Sequence, residues 1–257
     1  MTELIVPRRF RGPASSGNGG WTAGALAGTL DHDCPEDHAS AWPTIRVTLR
    51  QPPPLDTRLR VEDGVASDGD EVVATAEVVG DELEAVTEVD PATAAAARTS
   101  YAGLTTHPFP GCFACGPERE QDDGLRIFPG RVEDDPEGRV RVASTWTPHQ
   151  SHAEDWHAYV DDHLRASLPV TWAALDCVGG WAGDLTERPM VLGRITARVD
   201  TLPVVGEPHV VVGAALGGEG RKTYTAATLY DADGRVVALA EHVWVGVDPV
   251  AFNQLRA

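Results

Sequence analysis

Two stretches of this chain carry almost no charge and have the length of a buried helix: Trp21–Leu30, with none at all, and Val170–Gly183, with a single acid, Asp176. A helix that is apolar on nearly every side has to be covered on every side. The chain therefore needs two such covers, and 257 residues suffice for one large domain or two small ones. Gly19 and Gly20 fall at the start of the first helix, where glycine costs less than in a helix interior.

The covers are legible as strands. Thr44–Arg50 alternates Ile45, Val47 and Leu49 with polar residues, and Pro52, Pro53 and Pro54 end it. Strands are expected at Leu59–Val65, Val72–Val79 and Leu83–Val89, with a DG turn at Asp68–Asp70. In the second half they are expected at Arg139–Trp146, Ile195–Val199, His209–Leu216, Thr223–Tyr230 and Val236–Val247, the last two joined by the turn Asp231–Gly234. Residues 1–16 read as an irregular lead-in, His32–Pro43 as a polar loop and Pro91–Thr106 as a linker. Ser151 and Glu154 form a capping box that predicts a helix over His152–Ala166, with Trp156, Tyr159, Val160 and Leu164 on its apolar face. The expected units are 1–100 and 107–257.

The two halves align with each other. Ile45–Val47 matches Ile195–Ala197 and Thr75–Ala76 matches Thr225–Ala226, both at a shift of 150; Thr22–Ala27 matches Thr171–Asp176 at a shift of 149. Pairing the two GGW strings, Gly19–Trp21 with Gly179–Trp181, needs a shift of 160 and disagrees with the sheet by ten residues. Each half is thus one long helix followed by an antiparallel run of strands, and a helix wrapped by a curved antiparallel sheet is a compact solution at about 100 residues.

Composition narrows the partners. With 39 acidic against 21 basic residues the formal net charge is −18, which argues against a nucleic-acid or anionic-membrane surface. No apolar run approaches membrane-spanning length, MTELIVPRRF lacks the apolar stretch of a signal peptide, and four cysteines in a chain this long make no disulfide framework. The expectation is a cytoplasmic protein with reduced thiols.

The order of elements, duplicated in tandem, resembles the double hotdog fold, an α+β architecture, and within it the type II acyl-CoA thioesterases, with single-hotdog thioesterases behind them. Asn18-Gly19-Gly20 stands where many single-hotdog enzymes have His-Gly-Gly at the start of the central helix. Ala174-Leu175-Asp176 resembles the Ser-Leu-Asp whose acid is catalytic in type II enzymes. Tyr230–Ala238 looks like their penultimate turn and last strand, and Glu241 lies where they carry a catalytic Gln. Cys112-Phe113-Ala114-Cys115-Gly116 followed by Gly124-Leu125 resembles a lead-in of some single-hotdog thioesterases. The sequence departs from the family near Leu216, where no Thr or Ser falls in register, and at Leu168-Pro169, which replaces the glycine pair in the second half.

What the resemblance implies is one composite site per chain. Asp176 is the general base or nucleophile, or else a hydrogen-bonded structural acid, backbone N–H groups of Gly20 and Trp21 polarise a thioester carbonyl, and Glu241 holds the water or is an exposed strand acid. Asn18 and Gly19 orient substrate or, for Asn18, cap the helix. Trp21, Trp172 and Trp181 line an acyl tunnel, and Arg194, Arg198, Arg221 and Lys222 meet coenzyme A phosphates or form a solvated face. The implied partner is an acyl-CoA or acyl-carrier thioester, with no cofactor and no metal, and hotdog sheets often pair into homo-oligomers. A non-catalytic acyl-binding or assembly module is the alternative. A hotdog hydratase needs a His/Asp pair, and the central helices hold no His. Cys112-x-x-Cys115 has half the spacing of a zinc knuckle, but Cys34 and Cys177 stand alone in sequence, so a turn with small buried thiols is the expectation. His149, His152, His157 and His163 invite a metal reading; His157 and Asp161, four apart, fit a solvated helical pair instead. GxSxG and a phosphate-cradling Gly loop are absent.

Overall fold

The computed structural model describes residues 2–30, 42–154 and 163–254. In chain order the strands are β1 (Thr2–Ile5), β2 (Ile45–Leu49), β3 (Arg58–Glu62), β4 (Val65–Asp68), β5 (Glu71–Val78), β6 (Gly130–Arg131), β7 (Arg141–Trp146), β8 (Ala153–Glu154), β9 (Arg165–Ala166), β10 (Met190–Val199), β11 (His209–Glu219), β12 (Lys222–Tyr230) and β13 (Val236–Gly246). The helices are α1 (Gly19–Ala27), α2 (Pro91–Ala97), α3 (Leu168–Ala182) and α4 (Pro249–Gln254).

Eleven of these strands form one antiparallel sheet in the order β1-β3-β4-β5-β2-β10-β13-β12-β11-β7-β6, and β8 pairs with β9 apart from it. Read toward the middle, with the two-residue β6 at the far edge set aside, β1-β3-β4-β5-β2 and β7-β11-β12-β13-β10 run through the same succession. The halves join where β2 pairs β10, with Ile45 opposite Ala197 and Val47 opposite Ile195. That symmetric register upholds the 150-residue shift at this seam. It does not extend to Thr75–Ala76: β5 flanks β2 as β13 flanks β10, so the counterpart of β5 is β13 and not β12. Short β-branched and alanine-rich strands match one another by composition, and only pairing order tells them apart.

Both central helices lie on one face of the sheet and against each other. Asn18 caps α1 by accepting from Trp21 N–H, Ser167 caps α3 by accepting from Val170 N–H, and Pro169 sits in the first turn of α3, where its missing N–H is tolerated. The helices approach to backbone contact. A Cβ on Gly20 would lie 3.1 Å from Ala173 Cα, and one on Gly24 would lie 2.8 Å from Pro169 Cα. At the 149-residue shift Gly20 corresponds to Pro169 and Gly24 to Ala173, so these two contacts are images of one another.

Other expectations change. β1 takes the first residues of the irregular lead-in, and a 3-10 turn at Arg8–Phe10 follows it. Residues 83–89 form no strand; instead Val86 N–H donates to Thr228 Oγ1, and Val86 and Ala94 join Val210, Val212, Ala226 and Tyr230 in a second small core. The presumed linker begins with α2, whose cap is Asp90 accepting from Thr93 N–H. The capping box at Ser151 does not form: Ser151 Oγ donates to Asp122 O (2.7 Å), Gln150–His152 is a 3-10 turn and β8 follows. The remainder of the expected helix, up to residue 162, lies outside the described residues, as does most of the loop His32–Pro43. Residues 107–128 pack on the lead-in of the first half: Phe113 N–H donates to Arg11 O, the Arg119 guanidinium donates to Arg9 O, and Phe113 meets Phe10 edge to face.

Candidate active site

Asp176 sits in the middle of α3, 2% exposed, facing the start of α1. Its Oδ2 accepts from Gly20 N–H (2.9 Å) and from Asn18 Nδ2 (3.0 Å). Its Oδ1 is buried with no hydrogen-bond partner among the described residues. Burial pushes the carboxyl up to about 7, against the pull of the Gly20 and Asn18 hydrogen bonds. The positive end of the α1 dipole favours the ionised form, so the group is poised between its two states near neutrality.

Asp176 lines a cavity of about 360 Å³. Asn18, Gly19, Asp176, Cys112, Cys115 and Cys177 give it a polar side. Leu49, Leu185, Met190, Leu192, Phe109, Trp244 and Phe252 give it an apolar one, and the exposed Arg50 and Arg221 also line it. The chemistry available is a carboxylate with one free oxygen, a helix N-terminus and an apolar slot.

The expected residues fall into two groups. Asn18, Gly19, Gly20, Asp176 and Arg221 are brought to this end of the molecule. The amides meant to polarise a carbonyl are engaged, however: Gly20 N–H holds Asp176, and Trp21 N–H holds Asn18 Oδ1 (2.8 Å). The unengaged amide is Gly19 N–H, the first of α1, which no described group accepts from. Arg221 donates to Gly246 O. The second group lies elsewhere. Trp21 stacks on Phe10, Trp172 is wedged against Gly24 between the helices, and Trp181 packs edge-on to Tyr101 and His107, so none of the three lines the cavity. Arg194 is exposed on β10, between the half-buried Gly193 and the buried Ile195, and does not line it either.

Glu241 also points away. On β13 the residues facing the helices are Ala238, Ala240, His242 and Trp244, so Glu241 is on the opposite face, bordering a separate cavity with Glu84, Arg139 and Arg141. Burial and the neighbouring acids Asp81 and Glu84 raise its carboxyl. The inward group one residue on is His242, whose Nδ1 lies 3.2 Å from Thr225 Oγ1, itself accepting from Trp244 Nε1. Burial pulls His242 down to about 4. Strict alternation along β13 is the sequence signal that separates His242 from Glu241.

Cys177 does not stand alone. Its Sγ lies 3.6 Å from Cys112 Sγ, and Cys115 completes a cluster of three buried thiols. The thiols of Cys115 and Cys177 push Cys112 well below the usual thiol range, while burial and the adjoining thiols raise the other two. His149, His152 and His163 form no ligand cluster among the described residues, and His157 lies outside them. Cys34 is likewise outside them.

Two proteins of known structure are similar to this chain over nearly its whole length. A conserved protein with hot dog fold from Alicyclobacillus acidocaldarius aligns over 96% of this chain and 93% of its own, at 13% identity and a TM-score of 0.56. A tesB protein from Mycobacterium avium subspecies paratuberculosis aligns over 92% of this chain and 89% of its own, at 13% identity and a TM-score of 0.52. The fold is a double hotdog. No family model and no curated protein matches the sequence. In this double hotdog no helix among the described residues is long and apolar enough to cross a membrane.

Proposed function

We propose that the chain hydrolyses the thioester of an acyl group with coenzyme A or an acyl carrier. The observation that supports this is Asp176: a fully buried carboxyl, tethered through one oxygen to the N-terminus of α1 and free at the other, lining an apolar cavity. The thioester oxygen would accept from Gly19 N–H in the field of the α1 dipole. Asp176 then takes a proton from water as the water oxygen bonds to the carbonyl carbon. Collapse breaks the C–S bond, and the proton passes from Asp176 to the departing thiolate. The apolar side of the cavity takes the acyl group, and Arg50 and Arg221 suit an anionic part of the carrier. Such a substrate and three reduced thiols fit a cytoplasmic setting.

A panel of acyl-CoA esters with free-thiol detection tests the reading. Turnover that disappears in Asp176→Asn, with the far-UV spectrum unchanged, supports it; turnover retained in that variant overturns it. The engagement of both Gly20 and Trp21 N–H groups favours a second reading, an acyl-binding module. Acyl-CoA binding with no thiol release, unaffected by Asp176→Asn, would decide for that one.

A further inference from the structure

Four cysteines are spread over the sequence, and three of them converge at one end of the cavity. Cys112 and Cys115 come from the segment that docks on the first half, and Cys177 comes from α3, 65 residues beyond Cys112. All three are buried, all three line the cavity, and their sulfurs lie within 4.8 Å of one another. The Cys112–Cys177 separation of 3.6 Å is close to the sulfur–sulfur edge of roughly 3.8 Å that a tetrahedron with bonds of about 2.3 Å requires. It is far from the roughly 2.05 Å of a disulfide.

The surroundings hold these sulfurs in place and bring polar N–H groups up to them. The loop carrying two of them is closed by Gly116 N–H donating to Cys112 O (2.9 Å), and a Cβ at Gly116 would lie 2.4 Å from Pro110 O, so the turn needs glycine. Asn18 Nδ2 lies 3.7 Å from Cys112 Sγ and 3.9 Å from Cys177 Sγ. His107 Nε2 lies 3.3 Å from Cys115 Sγ. Because Phe109 N–H donates to His107 Nδ1 (2.9 Å), the neutral ring carries its proton on Nε2 and points it at the sulfur. His107 is therefore a donor to a ligand and not a ligand itself.

We propose that Cys112, Cys115 and Cys177 bind one thiophilic divalent cation of the zinc class, with the fourth coordination position open to the cavity. Three protein ligands with one position left free is the pattern of reactive zinc sites, whereas purely structural sites are closed by four. Each metal–sulfur bond forms as a thiol proton leaves to solvent, so binding releases protons and tightens as pH rises. The site stands independently of the hydrolase reading.

The test uses the full chain, reduced and stripped with a chelator, and titrated with Co²⁺. One equivalent should give an intense thiolate-to-cobalt charge-transfer band, and Zn²⁺ should bleach it. Cys112→Ser and Cys177→Ser should lose stoichiometric binding, Cys34→Ser and His107→Gln should keep it, and Asn18→Ala should weaken it about 10–100-fold. Wild type without the band, its thiols shown to be reduced, overturns the site whatever the variants do. The same full band in Cys177→Ser also overturns it, as does protein isolated with a Cys112–Cys177 disulfide by peptide mapping. Loss of binding in a folded His107→Gln would overturn the open fourth position.

Discussion

The two places where α1 and α3 touch are images of each other, yet only one joins a backbone amide to a buried acid. At one, Gly20 of α1 meets Ala173 and offers its N–H to Asp176. At the other, Pro169 of α3 meets Gly24. The residues that would stand there for the amide and the acid are Pro169, which has no N–H, and Ala27, which has no carboxyl. The packing surface survives because it depends only on two backbones approaching closely, and a proline in a first helical turn or a glycine serves equally well. Duplication therefore preserves the scaffold at both crossings, while a few side chains confine polar chemistry to one.

The largest expected effect concerns the acid. Asp176→Asn keeps an acceptor for Gly20 N–H and removes the base, so thioester hydrolysis should fall about 10²–10⁴-fold with the fold retained, as read by thiol release beside circular dichroism. The reverse experiment, Ala27→Asp, puts a carboxyl at the silent crossing with no amide to meet it. Ala27 is fully buried, so urea unfolding should show a loss of about 3–5 kcal/mol and kinetics no second site. A gain of activity there would break the comparison.

Gly20→Ala would place a Cβ 2.5 Å from Asp176 Cβ. Overpacking of this kind costs about 1–3 kcal/mol, and hydrolysis should drop because Asp176 is displaced. Gly24→Ala, at the silent crossing, should destabilise similarly and spare more of the activity; equal losses of activity would show that the crossings are not distinct.

The two halves should also differ in pH response. β13 carries the buried His242, and its counterpart β5 has no histidine. His242 titrates at about 4 when folded, below the 6.5 of an unfolded histidine. Between these values the unfolded chain binds the extra proton, so its contribution to stability is present above pH 6.5 and is lost as pH falls toward 4. It should amount to about 2 kcal/mol between pH 7 and 5, read as the difference between wild type and His242→Gln. Asp176, raised in the fold, acts in the opposite direction over this range, which is why the variant difference is the quantity to measure. The smallest effect belongs to Glu241→Gln, which should leave hydrolysis unchanged, because Glu241 borders the other cavity.

Local pattern reached some of this and stopped at identifiable points. Uncharged runs gave both central helices, and period-two alternation gave β12 and β13 nearly to their ends, most of β11 and only the second half of β10, Ile195–Val199, since both signals lie within a few residues. Pattern failed at residues 83–89, where alternation shows a half-buried extended segment but not whether a strand partner exists. It failed again at Ser151, where the hydroxyl found Asp122 O, distant in sequence, in place of the backbone next to it. At Glu241 the resemblance was one residue out of phase with the face that alternation marks as buried.

The sequence by itself determined that two helices without charged faces had to be wrapped, that the second would bury a lone acid, and that the sheet around them would be antiparallel. Those properties follow from hydrophobic periodicity and from the cost of leaving apolar surface in water. Only the tertiary structure decided that Asp176 would take the amide of Gly20, leaving that of Gly19 free, and that Cys177 would close on Cys112 and Cys115. Such pairings join residues scores of positions apart. Their separations are set by how closely two helix backbones can approach, a quantity that no local pattern encodes.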